Sequence, residues 1–151
     1  MKRRILIVDD EQNAREALKM ILTEEGYEVA EASDGAMGLQ KLSEFRPDAV
    51  LCDIRMPRMD GIELLTHARE EGHEAVFVIM TAFASIETAV KAMKAGAEDY
   101  VTKPVDVGSI LAKLDKVLEK KKLIQDNQLL RERIREKFHF TNIVGQSAEL
   151  Q

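Results

Sequence analysis

Polar side chains follow four short apolar runs of the amino-acid sequence, and their types suit one chemistry. They are three neighbouring acids, a lone acid, a hydroxyl and an ammonium: Asp9-Asp10-Glu11, Asp53, Thr81 and Lys103. Carboxylates brought together resist ionising together unless a hard divalent cation such as Mg²⁺ is held among their oxygens. A cation and an ammonium would neutralise phosphoryl oxygens, a hydroxyl would bond one, and a carboxylate would attack phosphorus.

Each of these residues also has a simpler explanation when it is taken alone. Asp10 or Glu11 would favour the start of a helix through the helix dipole. Thr81 would cap a helix, and Lys103 would be a solvated surface lysine. The functional hypothesis therefore depends on the fold bringing all of them to one place.

The elements that would position these groups alternate between strand-like and helix-like patterns. The predicted strands are Arg4–Val8, Glu28–Ala32, Ala49–Cys52, Ala75–Met80 and Asp99–Thr102. The run "AVFVIM" is apolar throughout, as in a strand buried on both faces of a parallel sheet. Five strand–helix repeats predict a doubly wound parallel α/β domain, in which the ligand site lies at the carboxyl ends of the strands.

The segments between the strands have apolar residues at three- and four-residue spacing. One example is Ile86, Ala89, Val90 and Met93. Methionines at such helix positions are predicted to lie in the core: Met20, Met37 and Met93. Asp60 and Glu63 have the spacing of a capping box and predict the start of the third helix.

Composition narrows the class of protein. The chain has 151 residues, 45% of them apolar, and a net charge of −5, which argues against direct nucleic-acid binding by this fragment. A single cysteine fits a reducing compartment, and no apolar run is long enough to span a membrane. We therefore expect a cytoplasmic protein.

The segments "VDDE", "CDIRMPRMDG", "MTAFAS" and "YVTKP", in this order and spacing, resemble the receiver domain of two-component response regulators. The resemblance covers roughly residues 3–120. It implies a flavodoxin-like five-stranded sheet of order 2-1-3-4-5 and a bacterial sensor histidine kinase as partner. It also implies that Asp53 is the phosphoacceptor. Asp9, Asp10 and Asp53, with the backbone carbonyl of Arg55, would bind Mg²⁺.

The same resemblance assigns roles to residues on the later strands. Thr81 and Lys103 would act on the phosphoryl group, and Tyr100 would be an aromatic switch residue working with Thr81. The Lys103–Pro104 peptide is expected to be cis. The expected activity is that of a phosphorylation switch, with only self-phosphorylation and self-dephosphorylation chemistry, and so not that of an enzyme.

Besides a DNA-binding response regulator of a different output class, two alternatives remain open on the sequence. A Mg²⁺-dependent phosphatase of the haloacid-dehalogenase type also uses an aspartyl nucleophile, but it needs an acid two residues later, where Arg55 stands. A stand-alone receiver that acts by binding a partner is the other, and the long tail of the chain argues against it.

The tail predicts an extended helix over residues 106–137, with an apolar stripe at near-heptad spacing. The stripe consists of Ile110, Leu114, Val117, Ile124, Leu130 and Ile134. Lys121 and Asn127 interrupt it. A lone helix cannot bury such a stripe in water, so we expect a homodimer through this linker.

The final segment contains Ile-Val-Gly-Gln-Ser at residues 143–147 and resembles the opening of the ATPase domain of sigma-54-dependent activators. The predicted organisation is a receiver domain at 1–118, a coiled-coil linker at 119–138 and the start of a truncated AAA+ ATPase domain at 139–151. The full-length protein is expected to add the ATPase and a DNA-binding domain.

Overall fold

The computed structural model describes residues 2–82 and 85–149, with side chains described as far as Arg131. Its elements, in chain order, are β1 Arg4–Val8, α1 Gln12–Glu24, β2 Glu28–Ala32, α2 Gly35–Phe45, β3 Ala49–Asp53, α3 Gly61–Glu70, β4 Val76–Thr81, α4 Ile86–Ala95, β5 Asp99–Thr102 and α5 Val107–Glu149. Phe83 and Ala84 of the "MTAFAS" segment lie outside the described residues.

The five strands of the described part form one parallel sheet in the order β2-β1-β3-β4-β5. This confirms the predicted doubly wound, flavodoxin-like fold. Alternate residues of β1 face opposite sides, so Leu6 and Val8 join one core while Ile5 and Ile7 join the other. Helices α2, α3 and α4 cover the first face, and α1 and α5 cover the second. Because both faces are covered, the strands β3 and β4 are buried along their whole length.

The three methionines predicted to be core residues are all exposed, so that prediction was wrong. Met20 is 66% exposed because it lies two residues from both Leu18 and Leu22, which face the sheet, and therefore on the opposite side of α1. Met37 and Met93 are 40% and 47% exposed. The α4 stripe is also exposed at Ile86 and Val90, because this helix packs on the domain through the small side chain of Ala92.

Helix α5 starts where the sequence predicted, with the Asp106 side chain accepting from the backbone N–H of Ser109 at 3.0 Å. It continues to Glu149, beyond the predicted end at 137, and no proline follows Pro104 to break it. The chain divides into two compact units, Met1–Leu118 and Glu119–Gln151. In the first unit Ile110, Leu114 and Val117 are buried.

In the second unit the described apolar side chains are exposed: Leu123 61%, Ile124 47%, Leu129 47% and Leu130 54%. The side chain of Ile134 and those of the predicted ATPase segment 139–151 lie outside the described residues, as do Leu150 and Gln151 altogether. None of the helices in the described residues combines the length and apolar character that a membrane crossing requires.

Candidate functional site

The carboxyl ends of β1 and β3, two central strands, bring three acids together. Asp9 follows β1 directly and is fully buried, and Asp53 is the last residue of β3 and 8% exposed. Asp10 comes next in the chain after Asp9 and is exposed. One carboxylate oxygen from each of the three lies within 4.8 Å of the others. The sequence-predicted acids therefore form one cluster that is open to solvent at Asp10.

Lys103, directly after β5, joins this cluster through its ammonium. Its Nζ donates to Asp9 Oδ2 at 2.9 Å and to Asp53 Oδ2 at 3.0 Å. The backbone places it there, because the Lys103 N–H donates to the carbonyl of Thr81 at 2.7 Å and extends the β4–β5 pairing by one residue. The Lys103–Pro104 peptide that follows is cis, as expected.

The pKa values of Asp53 and Lys103 are both raised above their ordinary values. Burial raises the pKa of Asp53, an effect that the hydrogen bond from Lys103 opposes only in part. Burial by itself would lower the pKa of Lys103, but its bonds to Asp9 and Asp53 outweigh burial and raise it. The ammonium thus stays protonated at neutral pH, and the Asp53 carboxylate is more basic than that of an ordinary surface aspartate.

Thr81 and Arg55 border the same cluster. Thr81 ends β4 and is buried, one residue beyond Met80, which pairs with Asp53 across the two strands. The backbone N–H of Arg55 donates to Asp53 Oδ1 at 3.3 Å, so the loop after β3 folds back over the carboxylate. The side chain of Arg55 is exposed. The predicted role of its carbonyl as a metal ligand stays a prediction.

The loop after β3 is shaped by close approach of its backbone to Asp53. The N–H of Gly61 donates to the carbonyl of Ile54 at 2.8 Å. A Cβ added at Gly61 would collide with the backbone carbonyl of Asp53, so this position admits only glycine without a shift of the site. The predicted capping box is present, with the Asp60 side chain bonded to the Glu63 N–H at 2.8 Å, and it fixes where α3 begins.

Tyr100 lies on β5 and is 36% exposed, with its backbone N–H donating to Asp99 Oδ1 at 2.8 Å. It pairs with Ile79 of β4, two residues before Thr81. The structure therefore places Tyr100 on the strand that leads to Lys103, outside the acid cluster. Its role as a switch residue is a prediction that these contacts do not test.

The donor set fits a hard divalent cation. Three carboxylates supply oxygen ligands of the kind that Mg²⁺ prefers, and one of them is solvent-exposed, which leaves room for water in the coordination shell. One ammonium near three carboxylates leaves an excess of negative charge at the cluster. Asp9, Asp10 and Asp53 are thus suited to hold Mg²⁺.

Arg15, on the first turns of α1, also contacts the acid loop, although no sequence motif indicated it. Its Nη1 donates to the backbone carbonyl of Asp9 at 2.8 Å. The available signal was its position six residues after Asp9, which places it one turn into a helix that starts beside the acids. The partner of its Nε, Glu31 on β2, carried no such signal, because the contact depends on the pairing of β1 with β2.

The fold and the acid cluster match what the resemblance to receiver domains implied, and comparison with known proteins shows the family. The chain belongs to the response regulator receiver domain family, whose model matches residues 5–115. This membership decides against the haloacid-dehalogenase alternative.

Individual relatives give the same result. The chain is 45% identical over 107 residues to regulatory protein AtoC of Escherichia coli (strain K12), covering 71% of this chain and 23% of that protein. It is 38% identical over 126 residues to response regulator MprA of Mycobacterium ulcerans (strain Agy99), covering 83% of this chain and 54% of that protein. The chain thus spans about half or less of the length of these curated relatives.

Among solved structures, a CheY-like response regulator receiver domain protein from Methanospirillum hungatei JF-1 superimposes with a TM-score of 0.77 and 36% identity. The match covers 81% of this chain and 98% of that one. The likeness to solved receivers therefore extends over most of the first unit, where the acid cluster lies.

Proposed function

We propose that the chain is a phosphorylation switch in which Asp53 accepts a phosphoryl group from the phosphohistidine of a sensor histidine kinase in the bacterial cytoplasm. The observation that carries this proposal is the Asp53 carboxylate, which ends a buried central strand and contacts Lys103 beside Asp9. Membership of the receiver family supports the kinase as partner.

The chemistry is a transfer between two nucleophiles. A carboxylate oxygen of Asp53 attacks phosphorus, the new O–P bond forms as the P–N bond of the phosphohistidine breaks, and the imidazole nitrogen keeps the electron pair. Lys103 bonds Asp53 Oδ2 at 3.0 Å, so its ammonium is within reach of an oxygen on a phosphoryl group attached there. Thr81 would hydrogen-bond a second phosphoryl oxygen. A Mg²⁺ ion on Asp9, Asp10, Asp53 and the Arg55 carbonyl would supply charge neutralisation.

Outside this transfer and the later hydrolysis of its own acyl phosphate, we propose no enzymatic activity. The phosphorylated state would be read through the surface around α4 and β5. There Tyr100 is part-exposed, and Ile86 and Val90 of α4 expose apolar area. A switch of this kind needs a coupling free energy of only about 1–3 kcal/mol.

Acetyl phosphate with Mg²⁺, followed by intact-mass measurement, tests the phosphoacceptor. The wild type should gain one phosphoryl group and Asp53→Asn none. Asp60→Asn is a matched control, because asparagine caps a helix about as well as aspartate and leaves the cluster intact. An Asp53→Asn variant that still gains the group would show that Asp53 is not the acceptor.

We further propose that the chain dimerises through its linker and controls a sigma-54 activator ATPase. The exposed apolar side chains of Leu123, Ile124 and Leu130 support a helical partner, and each would contribute about 1.5–3 kcal/mol when fully buried. The output class rests on the resemblance at residues 143–147, and a DNA-binding domain would complete the full-length protein.

Sedimentation compares the wild type with an Ile124→Asp/Leu130→Asp variant. The wild type should be a dimer and the variant a monomer. Lys122→Asp/Gln125→Asp is the control, because it adds charge on the other side of the helix. A wild-type monomer, or a stripe variant that dimerises equally well, would rule out the linker as the dimer interface.

A further inference from the structure

Every polar atom of Asp9 takes part in a hydrogen bond. Its N–H donates to the carbonyl of Ala32 at 3.1 Å, and its Oδ1 accepts from the N–H of Glu11 at 2.9 Å. Its Oδ2 accepts from Lys103 at 2.9 Å, and its carbonyl accepts from Arg15 Nη1 at 2.8 Å. The last of these bonds holds the peptide group that joins Asp9 to Asp10, because a carbonyl and the next N–H share one plane.

Arg15 is itself held in place. Its Nε donates to Glu31 Oε1 at 3.3 Å, and its side chain is 15% exposed against 27% for Glu31. Glu31 lies on β2, and its pairing partner on β1 is Ile7, two residues before Asp9. Arg15 therefore links α1 to the sheet and to the acid loop through two donors on different nitrogens, whereas an ammonium has all its donors on one nitrogen.

We propose that Arg15, oriented by Glu31, is a positioning residue that aims the carboxylate of Asp10 into the cation site. Asp10 is exposed, so the direction of its side chain depends on the peptide that precedes it. Loss of Arg15 frees that peptide to rotate, which moves the Asp10 carboxylate away from those of Asp9 and Asp53. This inference rests on the proposed Mg²⁺-dependent function of the cluster.

The charge of Arg15 and its geometry predict opposite effects on Mg²⁺. Removal of a positive charge near a cation site should strengthen cation binding by Coulomb attraction alone. Removal of a group that orients a ligand should weaken it, by about 10-fold or more for partners of this kind. The direction of the change in affinity therefore separates positioning from a simple charge effect.

Lys19 provides a matched control within the same helix. Its Nζ donates to the other oxygen of Glu31 at 3.2 Å, and its side chain is 47% exposed. It carries the same charge and shares the same partner as Arg15, but among the described contacts its ammonium bonds Glu31 and not the acid loop. Lys19→Met should thus leave Mg²⁺ affinity close to that of the wild type.

The experiment measures Mg²⁺ affinity of the 151-residue chain by calorimetry and by the Mg²⁺-dependent rise in the urea unfolding midpoint. Arg15→Met should bind Mg²⁺ about 10-fold more weakly than the wild type. Arg15→Lys should recover part of this loss, because it can bond one of the two acceptors. The rate of phosphorylation by acetyl phosphate at subsaturating Mg²⁺ should fall in the same order.

Several outcomes would overturn the inference. Arg15→Met with wild-type Mg²⁺ affinity would mark a purely structural residue, even if the metal-free protein were destabilised, and tighter binding would mark a simple charge effect. An equal loss in Lys19→Met would assign the effect to the contacts of Glu31 and not to the bond between Arg15 and the carbonyl of Asp9. A wild type without any Mg²⁺ response would overturn the proposed function as well, whereas a responding wild type matched by Arg15→Met would overturn only the role of Arg15.

Discussion

Helices α3 and α4 have the same length and the same local start signals, but they pack very differently. Both have ten residues and a capping box, built on Asp60 in α3 and on Ser85 in α4. Among the described residues, α3 buries two leucines, Leu64 and Leu65, together with Gly61 and Ala68, whereas α4 buries Ala92 alone. The local sequence therefore makes both segments helical, and the two helices differ in how many of their side chains are buried.

The difference bears on how a change at the acid site could spread. Helix α3 follows the loop after Asp53 and is fixed by its leucines, so its displacement would expose large apolar surface. Helix α4 keeps Ile86, Val90 and Met93 exposed, so it can shift at little cost in buried area. At its C-terminal end, Arg69 Nη2 of α3 donates to the carbonyl of Gly96 at 3.2 Å.

Truncation of one apolar side chain on each helix should give the largest contrast. Leu65→Ala should lower the free energy of unfolding by about 2–5 kcal/mol, since Leu65 is fully buried. Val90→Ala should change it by only about 0.5 kcal/mol, as expected for a residue 44% exposed. Urea denaturation measures both. Equal losses would show that α4 is as firmly packed as α3.

Glycine replacements compare the start of α3, which lies beside the acid cluster, with the end of α4, which does not. Gly61→Ala should cost about 1–3 kcal/mol and slow the phosphorylation of Asp53, because the added methyl group displaces the Asp53 carbonyl. Gly96→Ala should cost about 1 kcal/mol, since Gly96 ends α4 at φ +110°, and should spare phosphorylation. Urea midpoints and the acetyl phosphate assay report the two effects. Normal phosphorylation in Gly61→Ala would contradict this view of the loop.

Arg69 should connect the two helices. Its guanidinium also donates to the carbonyl of His73 at 2.8 Å and lies 5.4 Å from the centre of the Phe77 ring, and burial lowers its pKa. Arg69→Met keeps the apolar stem and should cost about 1 kcal/mol. Hydrogen exchange should become faster in the last turn of α4 and remain slow in α3. Unchanged exchange in α4 would mean that Arg69 is not its anchor.

Helix α5 extends the comparison to a third helix, which is held by a polar contact whose contribution to stability depends on pH. The hydroxyl of Tyr27 donates to Asp115 Oδ1 at 3.1 Å, and burial, followed by this bond, raises the pKa of Tyr27 to about 12. A raised pKa means that the folded state holds the proton more tightly. The resulting stability is complete below about pH 10, the ordinary tyrosine value, and disappears as the pH rises to about 12.

Urea midpoints measured across that interval should therefore fall more steeply for the wild type than for Tyr27→Phe. Tyrosinate absorbance provides the control, because Tyr27→Phe leaves Tyr100 as the single tyrosine. Parallel midpoint curves for the two proteins would show that the Tyr27–Asp115 contact does not cause this pH dependence.

The sequence by itself determined the sheet and the candidate acids of this protein. Runs such as Ala75–Met80 are apolar on both faces, a pattern typical of a parallel strand that is covered on both sides. Once the strand order follows, Asp9, Asp53 and Lys103 must meet, because the carboxyl ends of parallel strands share one edge. Local chemistry also predicted the capping box at Asp60, since both of its partners lie within four residues.

Only the tertiary structure decided which apolar helix residues are buried and what holds the acid loop. The spacing of Ile86, Val90 and Met93 predicted a helix, and Met93 was predicted to be a core residue. How much of an amphipathic helix is covered depends on the elements packed against it, and α4 makes its contact through Ala92. The contacts from Glu31 to Arg15 and from Arg15 to Asp9 join a residue of β2, a residue of α1 and the residue that follows β1. Contacts between elements depend on strand register and helix placement, which no local pattern of residue types encodes.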